Sequence, residues 1–354
     1  MKLYLVGGFL GSGKTTAIKN AASHCVSEGA SVGIITNDQG TQLVDTEYLS
    51  SSKVSAREVT GGCFCCKYSE LESHISQLKI VGNTDIIFAE SVGSCTDLIA
   101  TVANPVIRFL PDVEVLISIF ADAQVLPSML FGASLFKDNV RYIYNKQIEE
   151  ADILIVNKID MISSDDLGRV KQLVKHRYPD KLVLYQSSTE LADIKVWVEN
   201  LNAANVLSRS ALDINYNIYG EGEAELAWLD MQFDLYSDSG DAWKRAGELV
   251  KEIHEGIVSQ SLPIGHLKFL IDDGVRKYKL SYTMIEKAEA IPDFSTSRKL
   301  RILLNARVET EPEKLREIIY SNLIKLSVTM NFRFLIDHVS VFKPGFPTPT
   351  HRLG

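Results

Sequence analysis

Residues 7–16 of this 354-residue chain read GGFLGSGKTT, and this stretch decides the fold. From Gly8 to Thr15 it contains the pattern Gly-x-x-x-x-Gly-Lys-Thr, which is the phosphate-binding P-loop. The apolar run Leu3–Val6 before the loop predicts a strand, and the residues after the loop can form a helix. A strand, a glycine-rich loop and a helix in this order are the context that the motif requires. The sequence therefore predicts a P-loop nucleotide-binding domain.

The residue types of this loop suit the binding of a nucleoside triphosphate with Mg²⁺. Glycines let backbone N–H groups turn towards phosphate oxygens, and the start of the following helix adds partial positive charge. We expect Lys14 to reach the β- and γ-phosphates and the Thr15 hydroxyl to ligate Mg²⁺. The predicted phosphate contacts are Gly8, Gly11, Ser12, Gly13, Lys14, Thr15 and Thr16.

A second motif, Asn157-Lys158-Ile159-Asp160, follows the predicted strand Asp152–Val156 and indicates which nucleotide base the protein recognises. Asp160 is placed to accept hydrogen bonds from the N1–H and the amino group of guanine, a pair of donors that adenine lacks. We expect Asn157 and Lys158 to brace the base and the loop. Together the two motifs predict that the protein binds GTP and GDP and discriminates against ATP.

Strands and helices alternate over the first two hundred residues. Apolar runs rich in β-branched residues recur with segments that can be helical between most of them, which predicts an α/β fold with a mostly parallel sheet. In such sheets ligands bind at the carboxyl ends of the strands. The predicted strands are Leu3–Val6, Val32–Thr36, Asp85–Ala89, Val113–Phe120, Asp152–Val156 and Leu182–Tyr185.

The pattern changes after Leu207–Gly222, a polar stretch that we predict to be a linker. The order of strands and helices beyond it predicts a smaller α+β domain with an antiparallel sheet. The predicted strands are Leu226–Tyr236, Gly265–Ile271, Arg276–Thr283, Lys299–Val308 and Phe332–Phe342, and the predicted helices are Asp241–Ser259 and Pro312–Met330. We therefore assign residues 1–206 to the P-loop GTPase domain and 223–343 to the α+β domain. The proline-containing residues 344–354 are expected to be an extended, mobile end.

Composition narrows the class of protein. The net charge of −8 argues against general binding of nucleic acid. No uninterrupted apolar run is long enough to span a membrane. The P-loop begins inside the only stretch that resembles a signal peptide, so we expect a cytoplasmic protein. Its five cysteines suggest thiols for metal binding or chemistry, not a disulfide framework.

Three of these cysteines stand together in Gly61-Gly62-Cys63-Phe64-Cys65-Cys66. Thiols this close can converge on one ion, and Zn²⁺ and similar cations favour thiolate ligands. Two other interpretations of the cluster remain open: the cysteines are buried structural residues, or they are redox-active. Neighbouring thiols cannot all point the same way without strain. We therefore expect two of them to bind at once, with Asp38 or a water molecule completing a tetrahedral shell.

The two remaining cysteines, Cys25 and Cys95, stand alone in the sequence, and we expect them to be buried structural residues. The histidines are scattered. Among them His74 is the best candidate for an additional metal ligand because it follows Cys66 by eight residues.

The chain resembles the CobW-type metallochaperone GTPases, relatives of UreG and HypB. The resemblance follows the family's order over roughly the first two hundred residues and rests on GGFLGSGKTT, Asn37-Asp38-Gln39-Gly40, the Cys-x-Cys-Cys cluster, Glu90-Ser91-Val92-Gly93 and NKID. It implies a domain that binds GTP and Mg²⁺ and hydrolyses GTP slowly. It also implies that the domain holds a divalent transition metal, zinc or cobalt, for a client metalloprotein or a cobalamin-related pathway.

The resemblance also implies roles for single residues. Glu90 would hold Mg²⁺ together with Thr15, and Ser187 lies where the family contacts the guanine carbonyl. Asp38 stands where the family commonly has glutamate, and it would contact either the transition metal or Mg²⁺. The next acid of the family is Thr41 here, whereas Asp45 keeps its match. The predicted catalytic residues are thus Lys14, Thr15, Asp38 and Glu90, and the predicted transition-metal ligands are Cys63, Cys65, Cys66 and Asp38.

Two alternatives to a metallochaperone remain. The first is a metal-independent regulatory GTPase with structural cysteines. The second is a small-molecule kinase or redox enzyme on the same fold, although the guanine-reading motif argues against a kinase. The sequence leaves open the metal, the client and whether the protein is a monomer or a homodimer.

Overall fold

The computed structural model describes residues 1–39, 44, 54–132, 135–204, 209–283, 294 and 296–354. These residues form two compact units. The first unit contains the described residues of Met1–Gln39, Leu49–Glu223 and Phe346–Gly354, and the second contains those of Gly40–Tyr48 and Ala224–Gly345.

The first unit is built on a seven-stranded sheet in the order β3-β2-β4-β1-β5-β6-β7, with every neighbouring pair parallel. Most of the strands are continuously buried and apolar, as expected for a parallel sheet covered on both faces. The order places β4 between β2 and β1, so the loops that follow these strands meet at one edge. The strands are β1 Lys2–Gly8, β2 Val32–Asp38, β3 Ser55–Thr60, β4 Ile86–Glu90, β5 Glu114–Asp122, β6 Ile153–Asn157 and β7 Leu182–Gln186.

Helices follow most of these strands. On one face α1 and α7 pack around Trp197, whose Nε1 donates to Ser118 Oγ at 3.1 Å. A π-helical turn, Ile99–Ala103, leads into α3, and a 3₁₀ turn, Ile159–Met161, precedes α6. The helices are α1 Lys14–Ser27, α2 Tyr68–Ile80, α3 Asn104–Phe109, α4 Leu126–Phe131, α5 Asp138–Glu149, α6 Ser164–Arg177, α7 Leu191–Ala203 and α8 Tyr216–Ala224.

The second unit contains a five-stranded antiparallel sheet in the order β10-β9-β11-β8-β12. Helix α9 buries Trp243, Leu249 and Ile253 against this sheet, and their helical spacing places them on one side of the helix. The strands are β8 Leu226–Tyr236, β9 Ile264–Asp272, β10 Lys277–Tyr282, β11 Lys299–Glu309 and β12 Arg333–Phe342, and the helices are α9 Ala242–Val258 and α10 Pro312–Thr329.

This architecture confirms the predicted fold class, a P-loop α/β sheet followed by a smaller antiparallel α+β part. Three local expectations need correction. Strand β3 was not predicted, because Ser55–Thr60 is a half-exposed edge strand without an apolar run. The predicted linker Leu207–Gly222 contains most of α8. The end of the chain, expected to be mobile, makes defined contacts with the first unit. Among the described residues no helix has the length and apolarity to cross a membrane.

A fully buried ion pair lies in the sheet of the second unit. Arg307 Nη1 lies 2.7 Å from Asp230 Oδ1, and both side chains are 0% exposed. The guanidinium stacks over Trp228, with its carbon 3.9 Å from the ring centroid. Asn305 Nδ2 also donates to Asp230 Oδ1, at 2.7 Å. Because the pair is closed off from water, removal of one partner leaves a buried charge without its counterion.

We predict that Arg307→Met destabilises the protein by about 3–5 kcal/mol, because Asp230 loses its buried counterion. Urea denaturation monitored by tryptophan fluorescence measures the change. Arg333→Met is the matched control: its ion pair with Asp238 is largely exposed, so its loss should cost less than about 1 kcal/mol. Equal effects of the two substitutions would contradict the prediction.

Candidate functional site

The P-loop backbone leaves no room for side chains at two of its glycines. Gly8 has a φ of +120°, and a Cβ there would lie 2.1 Å from the carbonyl oxygen of Phe120. Gly13 has a φ of +91° and caps α1, and a Cβ there would lie 2.3 Å from Asn157 Nδ2. Both conformations are left-handed and favour glycine. The loop can therefore hold its backbone N–H groups close to a phosphate.

Lys14 and Thr15 begin α1 at the end of this loop, and both are buried. Lys14 Nζ donates to the carbonyl oxygens of Gly8 at 2.7 Å and Phe9 at 3.2 Å. Thr15 Oγ1 donates to Glu90 Oε1 at 2.9 Å. The neighbouring strands β1 and β4 thus bring a hydroxyl and a carboxylate together beside the P-loop, the donor set that Mg²⁺ takes in nucleotide sites.

Asn157, at the end of β6, joins the P-loop to the loop after β7. Its Nδ2 donates to the carbonyl oxygen of Ser12 at 2.7 Å. Its Oδ1 accepts hydrogen bonds from the backbone N–H of Ser188 at 3.0 Å and from the Ser188 hydroxyl at 2.8 Å. The predicted Ser187 lies next to this contact, and its N–H donates to Asp193 Oδ2 at 2.8 Å. Asn157 therefore links the P-loop to the loop after β7, and the sequence predicts that both loops contact the same nucleotide.

The guanine-reading motif continues into an exposed turn. Lys158 adopts a left-handed conformation, with a φ of 61°, and its Nζ lies 3.0 Å from Asp122 Oδ2. Asp160 follows in the 3₁₀ turn and is exposed. The structure thus brings Lys158 and Asp160 to the same sheet edge as the P-loop.

The cysteine loop follows β3 and is held by Asn37, a residue at the end of β2 whose positioning role the sequence analysis missed. Asn37 Nδ2 donates to the carbonyl oxygens of Val59 at 3.0 Å and Gly62 at 2.7 Å. Its Oδ1 accepts from the backbone N–H of Phe64 at 2.8 Å. One amide therefore fixes both sides of the first cysteine, Cys63.

The three sulfurs of the loop converge. Cys63 Sγ lies 2.9 Å from Cys65 Sγ and 3.2 Å from Cys66 Sγ, and the last two are 3.7 Å apart. Cys63 and Cys65 are buried, whereas Cys66 is half-exposed. The expectation that only two thiols can face one point is therefore corrected, because the turn that leads into α2 brings all three together. Among the described residues, these three form the one group of acids, cysteines or histidines spaced to hold a metal ion.

Neighbouring thiols set the acidity of this cluster. Interactions with the thiols of Cys65, Cys66 and Cys95, in that order, lower the pKa of Cys63. The pKa of Cys65 is raised, first because of its hydrogen bond with Cys63 and then because of its burial. The pKa of Cys66 is raised by the same interaction with Cys63.

Asp38 and His74, the two other candidate metal ligands, are not part of this group of three sulfurs. Asp38 ends β2 opposite Thr60 of β3 and is not one of the three grouped ligands. His74 lies on α2, where its Nε2 is 3.2 Å from the carbonyl oxygen of Glu58. Thr41 and Asp45 lie outside the described residues. Cys25 is buried in the core beside the sheet, as expected for a structural cysteine.

Cys95 does not stand alone. It lies in the segment that follows β4, and its thiol is among the groups that lower the pKa of Cys63. Its own sulfur donates to Glu223 Oε1 at 3.9 Å. Glu223, on α8, is 1% exposed, and burial raises its pKa to about 8. Cys95 is buried, as expected from the sequence, but its contact with Glu223 was not predicted because the two residues lie 128 positions apart.

The end of the chain also contacts the cysteine loop. The backbone N–H of Thr350 donates to the carbonyl oxygen of Cys65 at 2.8 Å, and its hydroxyl donates to that of Cys66 at 3.2 Å. The His351 ring packs edge-on against Tyr68, the first residue of α2, with centroids 5.0 Å apart. Arg352 Nε lies 2.9 Å from Oδ2 of Asp97, whose side chain is 0% exposed. Phe346–Gly354 therefore forms a tail segment fastened beside the half-exposed Cys66.

The sequence model of the CobW/HypB/UreG nucleotide-binding domain matches residues 2–184, from β1 into β7. The chain belongs to the CobW/HypB/UreG family. The matched residues include the P-loop, the cysteine loop, Glu90 and the guanine-reading motif. Glu223 and the tail segment lie beyond them.

Individual relatives are distant. The chain is 24% identical over 212 residues to a protein named zinc chaperone CobW from Sinorhizobium sp, a match that covers 52% of this chain and 58% of that one. It is 23% identical over 247 residues to a protein named zinc chaperone YeiR from Escherichia coli K12, covering 69% and 72%. HypB from Helicobacter pylori, solved in complex with nickel, superposes with a TM-score of 0.43 at 20% identity, covering 58% of this chain and 91% of that one. The chain thus spans little more than half of the Sinorhizobium relative.

We predict that Arg352→Ala loosens the tail segment, because the buried Asp97 loses its cation, and so exposes Cys66 to reagents. Alkylation by iodoacetamide, followed by peptide mass spectrometry, should modify Cys66 several-fold faster than in the wild type. Arg333→Ala, which removes an exposed arginine of the second unit, is the control and should leave the rate unchanged. If both variants react at the wild-type rate, the tail does not protect Cys66.

Proposed function

We propose that this protein is a GTP-binding and GTP-hydrolysing metallochaperone, which holds a divalent transition metal ion as cargo and delivers it to a client metalloprotein or cofactor pathway. The observation that carries the proposal is the convergence of three cysteine sulfurs at the sheet edge that also holds the P-loop and the guanine-reading motif. A nucleotide site alone would fit many GTPases. A thiol cluster at the same sheet edge adds a metal site that the bound nucleotide would regulate.

On the nucleotide side, we assign Asp160 to the donor edge of guanine and Ser187 to the loop that meets its carbonyl. Lys14 would neutralise the β- and γ-phosphates. Thr15 and Glu90 suit Mg²⁺ because their oxygens lie 2.9 Å apart, and Mg²⁺ prefers such hard oxygen ligands. The sequence has no recognisable arginine finger, so we propose slow turnover until a partner assists.

On the metal side, Cys63, Cys65 and Cys66 would bind the cargo as thiolates. Borderline cations such as Zn²⁺ and Co²⁺ fit this set, whereas Mg²⁺ requires oxygen ligands. The relatives named zinc chaperones support zinc as the cargo. Thiols that stay unpaired are typical of a reducing compartment, and we therefore propose that the protein works in the cytoplasm.

The segment after β4 offers a physical link between the two sites. It follows Glu90, a proposed Mg²⁺ ligand, and five residues after Glu90 it reaches Cys95, whose thiol is among the groups that lower the pKa of Cys63. Within it Gly93 packs so closely on the P-loop that a Cβ there would lie 2.7 Å from Leu10 Cδ2. A change of this segment on GTP binding or hydrolysis would reach the thiols. Such coupling is reciprocal, so metal would favour GTP as strongly as GTP favours metal.

The main alternative is a metal-independent regulatory GTPase with structural cysteines. The observation in its favour is the burial of Cys63 and Cys65, which are 3% and 4% exposed, as structural cysteines usually are. The two functions differ in one measurement. A metallochaperone with coupled sites binds GTP more tightly, or hydrolyses it at a different rate, when Zn²⁺ is present, whereas the regulatory GTPase does not respond to Zn²⁺.

We predict that Asp160→Asn weakens GTP binding by roughly tenfold to a hundredfold, because an amide cannot accept both guanine donors in place of a carboxylate. The preference for GTP over ATP should largely disappear. Isothermal titration with GTP, ATP and xanthosine triphosphate measures the change, and the last should bind the variant better because its 2-carbonyl accepts from the new amide. Asp165→Asn, an exposed acid at the start of α6, is the control. Equal affinity of the wild type for ATP and GTP would refute the assignment.

We predict that the wild type binds about one Co²⁺ per chain, with a thiolate charge-transfer band in the near ultraviolet and tetrahedral bands in the visible region. Changing Cys63, Cys65 and Cys66 to serine should remove these bands and leave GTP binding intact. The affinity for Co²⁺ should fall as pH is lowered, because protons compete for the thiolates. A triple variant that binds Co²⁺ and Zn²⁺ as tightly as the wild type would favour the regulatory GTPase.

A further inference from the structure

The turn that carries the guanine-reading motif depends on support from outside the motif. Lys158 adopts a left-handed conformation, with a φ of 61° and a ψ of 37°, which a residue other than glycine keeps only when its surroundings hold it there. Asp160, the residue assigned to guanine, lies two residues later in an exposed 3₁₀ turn. Its carboxylate can discriminate between bases only if the turn holds it in one place, because it has to accept from two donors of the same base. The residues that support this turn therefore also influence the choice of base.

Two residues that directly follow β5 hold the backbone of this turn. The N–H of Ala123 donates to the carbonyl oxygen of Asn157 at 2.9 Å. The side-chain Nε2 of Gln124 donates to the carbonyl oxygen of Met161 at 3.1 Å. These two carbonyl groups lie on either side of Asp160 in the chain. The turn is therefore held both before and after the residue that reads the base.

Asp122, the last residue of β5, holds the motif through its side chain. Its Oδ2 lies 3.0 Å from Lys158 Nζ, and the side chains of Asp122 and Lys158 are 5% and 20% exposed. An ion pair this sheltered from water is screened less than a surface pair. The other carboxylate oxygen, Oδ1, accepts from the backbone N–H of Gln124 at 2.9 Å, which closes an Asx turn. One carboxylate therefore fixes both the side chain of Lys158 and the backbone of Gln124.

The same strand is also fixed to the P-loop. β5 lies between β1 and β6 in the sheet, and Phe120 of β5 pairs with Gly8. The two strands approach so closely there that a Cβ at Gly8 would lie 2.1 Å from the carbonyl oxygen of Phe120. The end of β5 is therefore a common support for the phosphate-binding loop and for the turn that reads the base.

We propose that Asp122 and Gln124 are positioning residues for guanine recognition. Asp122 orients the side chain of Lys158. Gln124 fixes the end of the turn that carries Asp160. The inference rests on the proposed function, because it needs Asp160 to read guanine. Both residues act through the turn, so their loss changes the choice of base and leaves the binding of the phosphates in place.

The test uses Asp122→Asn in the full-length protein. Asparagine removes the charge that pairs with Lys158 but keeps an oxygen for the N–H of Gln124, so the substitution isolates the ion pair. Isothermal titration with GTP, inosine triphosphate and ATP measures the change. Inosine triphosphate lacks the 2-amino group of guanine, so the wild type should bind it about tenfold more weakly than GTP. In the variant this ratio should fall severalfold, whereas the affinity for ATP, which Asp160 does not read, should stay unchanged.

Asp152→Asn is the matched control. Asp152 is also a sheltered acid paired with a cation, since its Oδ2 lies 2.5 Å from Arg209 Nη2. It directly precedes β6, however, whereas the guanine-reading motif follows that strand, so the two lie at opposite edges of the sheet. The control should keep the ratio of the wild type.

A double-mutant cycle tests whether Asp122 acts through Lys158. Asp122→Asn should weaken GTP binding severalfold in the wild-type background and hardly at all in Lys158→Met, because the ion pair is already lost there. Gln124→Ala changes a half-buried side chain and removes the contact with Met161. It should also lower the ratio of GTP to inosine triphosphate affinity, and it decides the question if Asp122→Asn misfolds.

A folded Asp122→Asn variant that keeps the wild-type ratio overturns the proposal. So does one that binds all three nucleotides more weakly by the same factor, because a general loss of structure has that effect. Both results leave the binding of GTP by the wild type in place. If the wild type does not prefer GTP over ATP, the assignment of Asp160 in the proposed function fails, and this inference fails with it.

Discussion

The arrangement of the functional edge depends on one constraint, the position of β4 between β2 and β1 in a sheet whose strands all run parallel. Parallel strands end at the same edge, and neighbours lie about 4.8 Å apart. The end of β1 carries the P-loop, the end of β4 carries Glu90, and the end of β2 carries Asn37. The Thr15–Glu90 hydrogen bond can form only because β4 adjoins β1. Asn37 can hold the cysteine loop only because β3 adjoins β2. Two sites with different chemistry therefore share one edge.

Short, well-packed segments connect the nucleotide site with the thiol cluster. Leu10 of the P-loop lies against Gly93, and Cys95 follows Gly93 two residues later in the same segment. Spatial continuity alone does not make a switch, because coupling requires an element with two arrangements that both ligands bias. The segment after β4 fits that role, since it carries a nucleotide-side carboxylate at one end and a thiol at the other. Asn157 contributes in another way: it fixes the P-loop to the loop after β7, so that the nucleotide meets a rigid frame on its other side.

Sequence reasoning succeeded where the signal is local. The P-loop, the guanine-reading motif and six of the seven strands of the first sheet can each be recognised within about ten residues, and the second sheet follows from its alternating pattern. It failed where the fold brings distant residues together. Cys95 stands alone in the sequence because its partner Glu223 lies 128 positions later. The contact of Thr350 with Cys66 spans 284 positions, and that of Arg352 with Asp97 spans 255. Strand β3 escaped because an edge strand needs little apolar surface.

Residues beyond the family-matched segment, residues 2–184, affect how solvent reaches the thiol cluster. Glu223 accepts a hydrogen bond from the thiol of Cys95, and Thr350 of the tail segment donates to the carbonyl oxygens of Cys65 and Cys66. Transfer of a thiolate-bound metal proceeds by attack of an incoming ligand, so a client would have to approach the sulfur that solvent already reaches. That sulfur is Cys66, and Thr350 is hydrogen-bonded beside it. In the proposed function, the client would therefore meet the tail segment when it approaches Cys66, so release of the metal would depend on contacts that the family-matched residues do not contain.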